Sequence, residues 1–171
     1  MPDYRRFYIP DAIYFVTSVT RNRRPIFRSD ACMEALFDAM RSAHQLHPFR
    51  MLAYAALWDH LHLLVRPIGE VTISQVMHCI KRGTTFRLKA MREPLEALRL
   101  WQGRFWDHVI RDQEDFNRHV DYIHYNPVKH GYVDRLEDWP RSSYRQWMAR
   151  GYYELGWGHT EPERVANLSF E

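Results

Sequence analysis

The chain has 171 residues, 46% of them hydrophobic, which suits one compact domain with a real core and perhaps a short appendage. No apolar run approaches the roughly 18 residues of a membrane span, and Pro2-Asp3-Tyr4-Arg5-Arg6 opens no secretory signal, so a cytoplasmic protein is expected. The two cysteines, Cys32 and Cys79, exclude a disulfide framework or a Cys-rich zinc site and are expected to be buried thiols.

In chain order, Ile13 to Thr20 is rich in β-branched and aromatic residues and predicts a strand. Arg21-Asn22-Arg23-Arg24-Pro25 breaks it. Ser29 or Asp30 can cap a helix to about Leu46, with Met33, Leu36, Phe37 and Met40 on one stripe. Phe49 to Leu57 and Leu61 to Val65 read as two strands of a hairpin interrupted by Trp58-Asp59. Thr72 or Ser74 starts a second helix to about Met91, with Val76, Ile80 and Phe86 inward and Gly83 a mild weakness. After a polar connection containing Pro94, Phe105 to Ile110 predicts a fourth strand. Asp112 or Glu114 starts a third helix through Phe116, Val120 and Ile123. Asn126-Pro127 is expected to end it, because the residue before proline disfavours helix. From Gly131 the chain is aromatic and irregular, and a polar tail begins near Gly151. The order β-α-β-β-α-β-α predicts an α+β fold. Its first six elements match the ferredoxin-like split βαβ arrangement, an antiparallel sheet with helices on one face, followed by an added C-terminal helix. The expected division is one domain over 1–150 and a tail over 151–171.

The net charge is only +3, but it is unevenly spread. Arg5, Arg6, Arg21, Arg23, Arg24 and Arg28 face only Asp3 and Asp11 early in the chain. A second block holds Lys81, Arg82, Arg87, Lys89, Arg92, Arg99 and Arg104. Two such blocks suggest a positive face for a polyanion, with ordinary solvated charge as the alternative. Arg5, Arg6, Arg21, Arg23 and Arg24 are the first candidates for phosphate contacts, and Lys81 and Arg82 the second.

Two features carry chemistry. In His60-Leu61-His62, strand alternation puts both imidazoles on one face, a half-site for a divalent metal. A pair of partly exposed strand histidines is the alternative. In His119 to Pro127, helical spacing puts Tyr122 and Asn126 on one face, four residues apart, while Tyr125 turns about 100° away from Asn126. If a tyrosine and an amide serve one metal-bound phosphate, Tyr122 fits better than Tyr125. Asn126 could equally cap a short turn starting at Pro127.

Together these motifs resemble the HUH-type single-tyrosine transposases, and within them the REP-associated tyrosine transposases. The resemblance covers roughly residues 4 to 150. It rests on Tyr4 to Tyr8, Asn22-Arg23-Arg24, His60-Leu61-His62, Arg104 to His108, Val120 to Ile123, Asn126 to Gly131, and Trp139-Pro140 with Ser142-Ser143. One departure is Trp58-Asp59, where a Pro-Asn type pair often precedes the first histidine; Asp59 is not a ligand in the family pattern. The resemblance implies His60 and His62 as the metal pair, Tyr122 as nucleophile and Asn126 as third ligand. It implies a single-strand DNA endonuclease and strand transferase acting on REP-like hairpins with a short flanking tetranucleotide. The product would be a 5′-phosphotyrosine and a free 3′-OH. Mg²⁺ or Mn²⁺ suits such a phosphate site, imidazole ligands favouring Mn²⁺. His119, one turn before Tyr122, could assist proton removal, although surface placement competes. No Walker loop is present, in keeping with ATP-independent transesterification. The branch implies a monomer, with a dimer as the alternative. Rival readings are a non-catalytic hairpin-binding module of the same fold and a small metal hydrolase. The tail, with Arg164, could touch DNA, cover the site or remain disordered.

Overall fold

The computed structural model describes residues 9–91, 99–166 and 168–170. Arg5, Arg6 and the Pro94 connection lie outside them. Within them β1 (Tyr14–Val19), α1 (Asp30–Leu46), β2 (Phe49–Ala56), β3 (His60–Pro67), α2 (Ile73–Ala90), β4 (Trp106–Val109), α3 (Gln113–Lys129) and α4 (Tyr144–Ala149) follow in order. The sheet runs β2-β3-β1-β4, with every neighbouring pair antiparallel. This is the expected split βαβ arrangement. Among the described residues no helix is long and apolar enough to cross a membrane.

Strand alternation divides the molecule into two cores. Tyr14, Val16, Leu61, Leu63 and Val65 point to one face, where α1 and α2 cover them. Phe15 and Leu64 point to the other face, where α3 and the C-terminal segment cover them with Val120, Tyr122, Ile123, Tyr153 and Val165. The third helix therefore lies on the opposite side of the sheet from the first two. His60 and His62 alternate with Leu61, so they face α3.

Local chemistry fixes the helix ends. Ser29 caps α1 by accepting from the Cys32 N–H, and Thr72 forms a capping box with Gln75 at the start of α2. Gly83 does more than weaken α2. A Cβ there would sit 3.3 Å from Ala39 Cβ, so the glycine permits close approach of α1. Cys32 is buried and Cys79 only half-buried.

Two expectations about helices are corrected. Phe86 is 72% exposed, because the inward stripe of α2 runs through Ile80, Thr84 and Leu88. Two residues beyond Thr84 is about 200° of rotation, which turns Phe86 to solvent. The third helix does not stop at Asn126-Pro127 but continues to Lys129. Proline in the last turn deprives a single carbonyl of its donor, so termination is not forced. The helix closes instead where His130 N–H donates to the Asn126 carbonyl at 3.0 Å and Gly131 takes the left-handed conformation, φ +66°. Asn126 is therefore an interior helical residue, not the cap of a following turn.

Past α4 the chain remains packed. His124, fully buried on α3, bonds Ser143 Oγ through Nε2 at 2.7 Å and Tyr153 Oη through Nδ1 at 2.8 Å, tying α3 to α4 and the tail. Burial pushes its imidazole down to about 3. The unfolded chain takes up this proton near pH 6.5, the folded chain only near pH 3. Stability should therefore fall as pH drops between those values, by up to about 1.4 kcal/mol per pH unit. Urea unfolding at pH 7 and pH 5 checks this. His124→Gln should be less stable at pH 7 yet show a shallower pH dependence.

Candidate active site at the face between β3 and α3

The two histidines reach the sheet's α3 face from the first turn of β3. A three-residue connection, Leu57-Trp58-Asp59, precedes them, closed by Leu57 N–H donating to the His60 carbonyl at 2.9 Å. Both side chains are fully buried, and their ring centroids lie 4.8 Å apart. Each ring is held at Nδ1. His60 Nδ1 lies 2.6 Å from Asp59 Oδ1, and His62 Nδ1 lies 2.9 Å from Thr17 Oγ1, its cross-strand partner. Such carboxylate and hydroxyl partners are what orient a metal-ligating imidazole and fix its tautomer.

Asp59 is itself braced. Arg23 Nη1 donates to Asp59 Oδ2 at 3.2 Å. Burial would raise this carboxyl, but bonds and charge from His60 and Arg23 outweigh it and hold it below the ordinary carboxylate range. The arginine gets there through an unusual backbone. Asn22 and Arg23 both have positive φ, 57° and 50°. That conformation costs energy for residues with side chains, and here it accompanies the Arg23–Asp59 ion pair.

From α3, Asn126 Oδ1 comes within 3.2 Å of His60 Nε2, while its Nδ2 is buried without a hydrogen-bond partner. Where Nδ1 carries the proton toward Asp59 and Nε2 is left bare, as metal ligation requires, Nε2 and Asn126 Oδ1 are two acceptors facing one another. Adjacent ligands of an octahedral cation at about 2.1 Å sit about 3 Å apart. The donor set thus fits a divalent ion. His60, His62 and Asn126 would hold it.

Tyr122, one turn before Asn126, packs edge-on against His62 with centroids 5.3 Å apart. It is 1% exposed. Lys129 Nζ approaches its hydroxyl to 3.5 Å and its ring centre to 4.7 Å. Tyr122, Asn126 and Lys129 form one helical stripe at i, i+4 and i+7. Sequence reasoning missed Lys129, although that spacing was available to find it. The C-terminal segment covers this stripe. Phe170 N–H donates to Tyr122 Oη at 3.2 Å, and Lys129 Nζ donates to the Leu168 carbonyl at 2.6 Å. Tyr125 points elsewhere. Burial and then Glu161 raise its phenol.

A second cluster, His108, Asp115 and His119, brings ligand-type atoms within 4.8 Å of one another. Here Asp115 Oδ2 already accepts from His108 Nε2 at 2.8 Å and from the Arg111 backbone at 3.0 Å. Burial raises the Asp115 carboxyl, but those bonds prevail and hold it at about 2. The two imidazole rings stack 4.8 Å apart at 16°, so their lone pairs run side by side instead of converging. The cluster is a hydrogen-bonded hub between β4 and α3. His119 is a buried member of it and does not lie at the surface.

The basic residues divide. Arg21 and Lys81 line a groove of about 620 Å³ with Arg99 and Trp101. Lys81 Nζ donates to the Gln102 carbonyl at 2.8 Å. Arg82 is exposed, Arg24 is half-buried, and Arg23 is engaged with Asp59.

Residues 9–125 match the family model described as "Transposase IS200 like". The chain is 35% identical to the REP-associated tyrosine transposase of Escherichia coli K12, over 92% of this chain and 91% of that protein. The chain belongs to the REP-associated tyrosine transposases of the IS200-like family. A putative member from Haemophilus influenzae Rd is 34% identical, over 92% of this chain and 94% of its own length. Among solved structures, a REP-associated tyrosine transposase bound to a REP hairpin superposes with a TM-score of 0.80 at 34% identity, covering 96% of each chain. A putative transposase from Deinococcus radiodurans shares the fold at a TM-score of 0.50 and 17% identity, over 64% of this chain and 87% of that one.

Proposed function

We propose that this chain is a divalent-metal-dependent endonuclease and strand transferase that cuts and rejoins single-stranded DNA beside REP-like hairpins through Tyr122. The observation that carries this reading is one convergence. The Tyr122 ring lies against His62 while Asn126 meets His60, so nucleophile and ligand set come together on one sheet face.

A divalent cation, Mg²⁺ or Mn²⁺, would supply charge neutralisation at a nonbridging phosphate oxygen. The chain's own groups do the rest. Tyr122 Oη attacks phosphorus, the P–O3′ bond breaks, and the 3′ oxygen leaves as a hydroxyl after taking up a proton. The 5′ phosphate stays on the tyrosine. A second 3′-OH can reverse the exchange, so bond energy is retained. A phenol ordinarily loses its proton near pH 10, and the Lys129 ammonium offsets the phenolate charge. In the covered form, Tyr122 Oη and Lys129 are both engaged by residues 168–170, so the strand must displace this segment.

Arg21, Lys81, Arg82 and Arg24 supply phosphate contacts toward the hairpin, and Arg5 and Arg6 are candidates by their charge alone. Arg23 chiefly braces Asp59. Both halves of the site come from one chain, which supports action as a monomer. The relative bound to a REP hairpin supports the substrate class.

The test is a labelled REP hairpin with a single-stranded flank, incubated with Mn²⁺ or Mg²⁺ and run on a denaturing gel. A shifted protein–DNA adduct is expected. Hairpin binding with neither adduct nor cut strand would leave only a binding module.

A further inference from the structure

Phe170 does more than cover the tyrosine. Its ring lies near-parallel to Trp106, with centroids 5.4 Å apart at 18°, and near-parallel to His119, 4.8 Å apart at 21°. Phe15 and Tyr122 meet it edge-on at 5.4 and 4.9 Å. The result is a slot shaped for one flat ring, with four aromatic side chains on its walls. Even with Phe170 against it, Trp106 remains 46% exposed. A large aromatic ring left in solvent on a short strand is not explained by packing.

The slot adjoins the site through the sheet register. Trp106 sits opposite Thr17, and Thr17 sits opposite His62, which it also hydrogen-bonds. Trp106 is therefore two strands from His62, roughly 10 Å across the sheet. At the slot's edge, His119 Nδ1 lies 2.7 Å from the Asp115 carbonyl, which can only accept, so that nitrogen carries the proton. His119 Nε2 is then an acceptor, buried and without a partner. Its lone pair lies in the imidazole plane, near-parallel to the plane of the slot's tenant, so His119 offers a nucleobase its ring face for stacking.

We propose that the Trp106–His119 slot is a nucleobase-binding subsite for the single strand beside the phosphate that Tyr122 attacks, and that Phe170 occupies it as a stand-in base. This rests on the strand-cleaving reading of Tyr122. Aromatic stacking is sequence-tolerant, so the slot contributes position more than sequence choice. One aromatic tenant at a time makes tail and strand competitors for the same space.

The test uses the full chain carrying Tyr122→Phe, so that no strand is cut, and a REP hairpin with 2-aminopurine placed at one flank position at a time. Fluorescence quenching at a single position is expected. Phe170→Ala should lower its half-saturation by about ten-fold, the scale of one base–aromatic stack. Trp106→Leu should remove the quench while anisotropy of a stem label still reports hairpin binding, and Trp106→Phe should retain it. Hairpin binding with no position quenched in the Phe170→Ala protein overturns the slot alone. So does a quench that survives Trp106→Leu. Absence of hairpin binding overturns the underlying reading and the slot together.

Discussion

Tyr122→Phe is expected to abolish strand cutting and the covalent adduct, by at least about a thousand-fold, as removal of a nucleophile does. The change deletes one oxygen and leaves the ring. That ring fills the second core beside Phe15 and Ile123, so the fold should survive. The lost hydroxyl interacts with Phe170 N–H and the Lys129 ammonium in the covered form. Hairpin binding should therefore stay within about two-fold of the parent, since these two contacts are to the chain's own tail and lysine and each is a small energy. Tyr125→Phe is the matched control. It sits on the same helix, but its phenol is raised by burial and by Glu161. It should cut as the parent does. Retained cutting by Tyr122→Phe, or loss confined to Tyr125→Phe, would remove Tyr122 from the chemistry.

What was legible in the sequence follows a physical division. Strand alternation is a strict two-residue period, so His60-Leu61-His62 announces two imidazoles on one face and a core leucine on the other. Helical period did the same for Tyr122 and Asn126. Local rules also narrowed each cap to a pair, Ser29 or Asp30 and Thr72 or Ser74, of which the fold uses Ser29 and Thr72. Failures came where a local preference met a tertiary constraint. Asn126-Pro127 reads as a stop signal, yet a proline in a final turn is cheap and the buried Asn126 holds the turn against the sheet. Phe86 reads as core by type, but the phase of α2 leaves it outside. The bracing of the histidines was invisible for another reason. Thr17 lies 45 residues from His62, and its bond exists only through antiparallel register. The tail is the extreme case. Nothing in Leu168 or Phe170 as residue types says that they meet Lys129 and Tyr122.

Alanine at either His60 or His62 is expected to remove metal-dependent cutting by at least about a hundred-fold and to weaken Mn²⁺ binding, read independently by calorimetry. The two variants should differ in what they leave behind. His62→Ala frees Thr17 Oγ1, a hydroxyl that a water can satisfy. His60→Ala strips Asp59 of its 2.6 Å partner and leaves a nearly buried carboxylate held by Arg23 and, at 3.5 Å, by the Tyr132 hydroxyl. The second should therefore cost more stability, because an under-compensated buried charge is more expensive than an unmet hydroxyl. Asp59→Asn separates orientation from ligation. It keeps His60 in place but removes the carboxylate that sets its tautomer, which in comparable sites lowers affinity by about 10- to 100-fold. A graded order follows for Mn²⁺ affinity: parent, then Asp59→Asn, then either alanine variant. Cutting that persists in EDTA, or Mn²⁺ binding that His60→Ala and His62→Ala leave unchanged, would show that these imidazoles hold no catalytic ion.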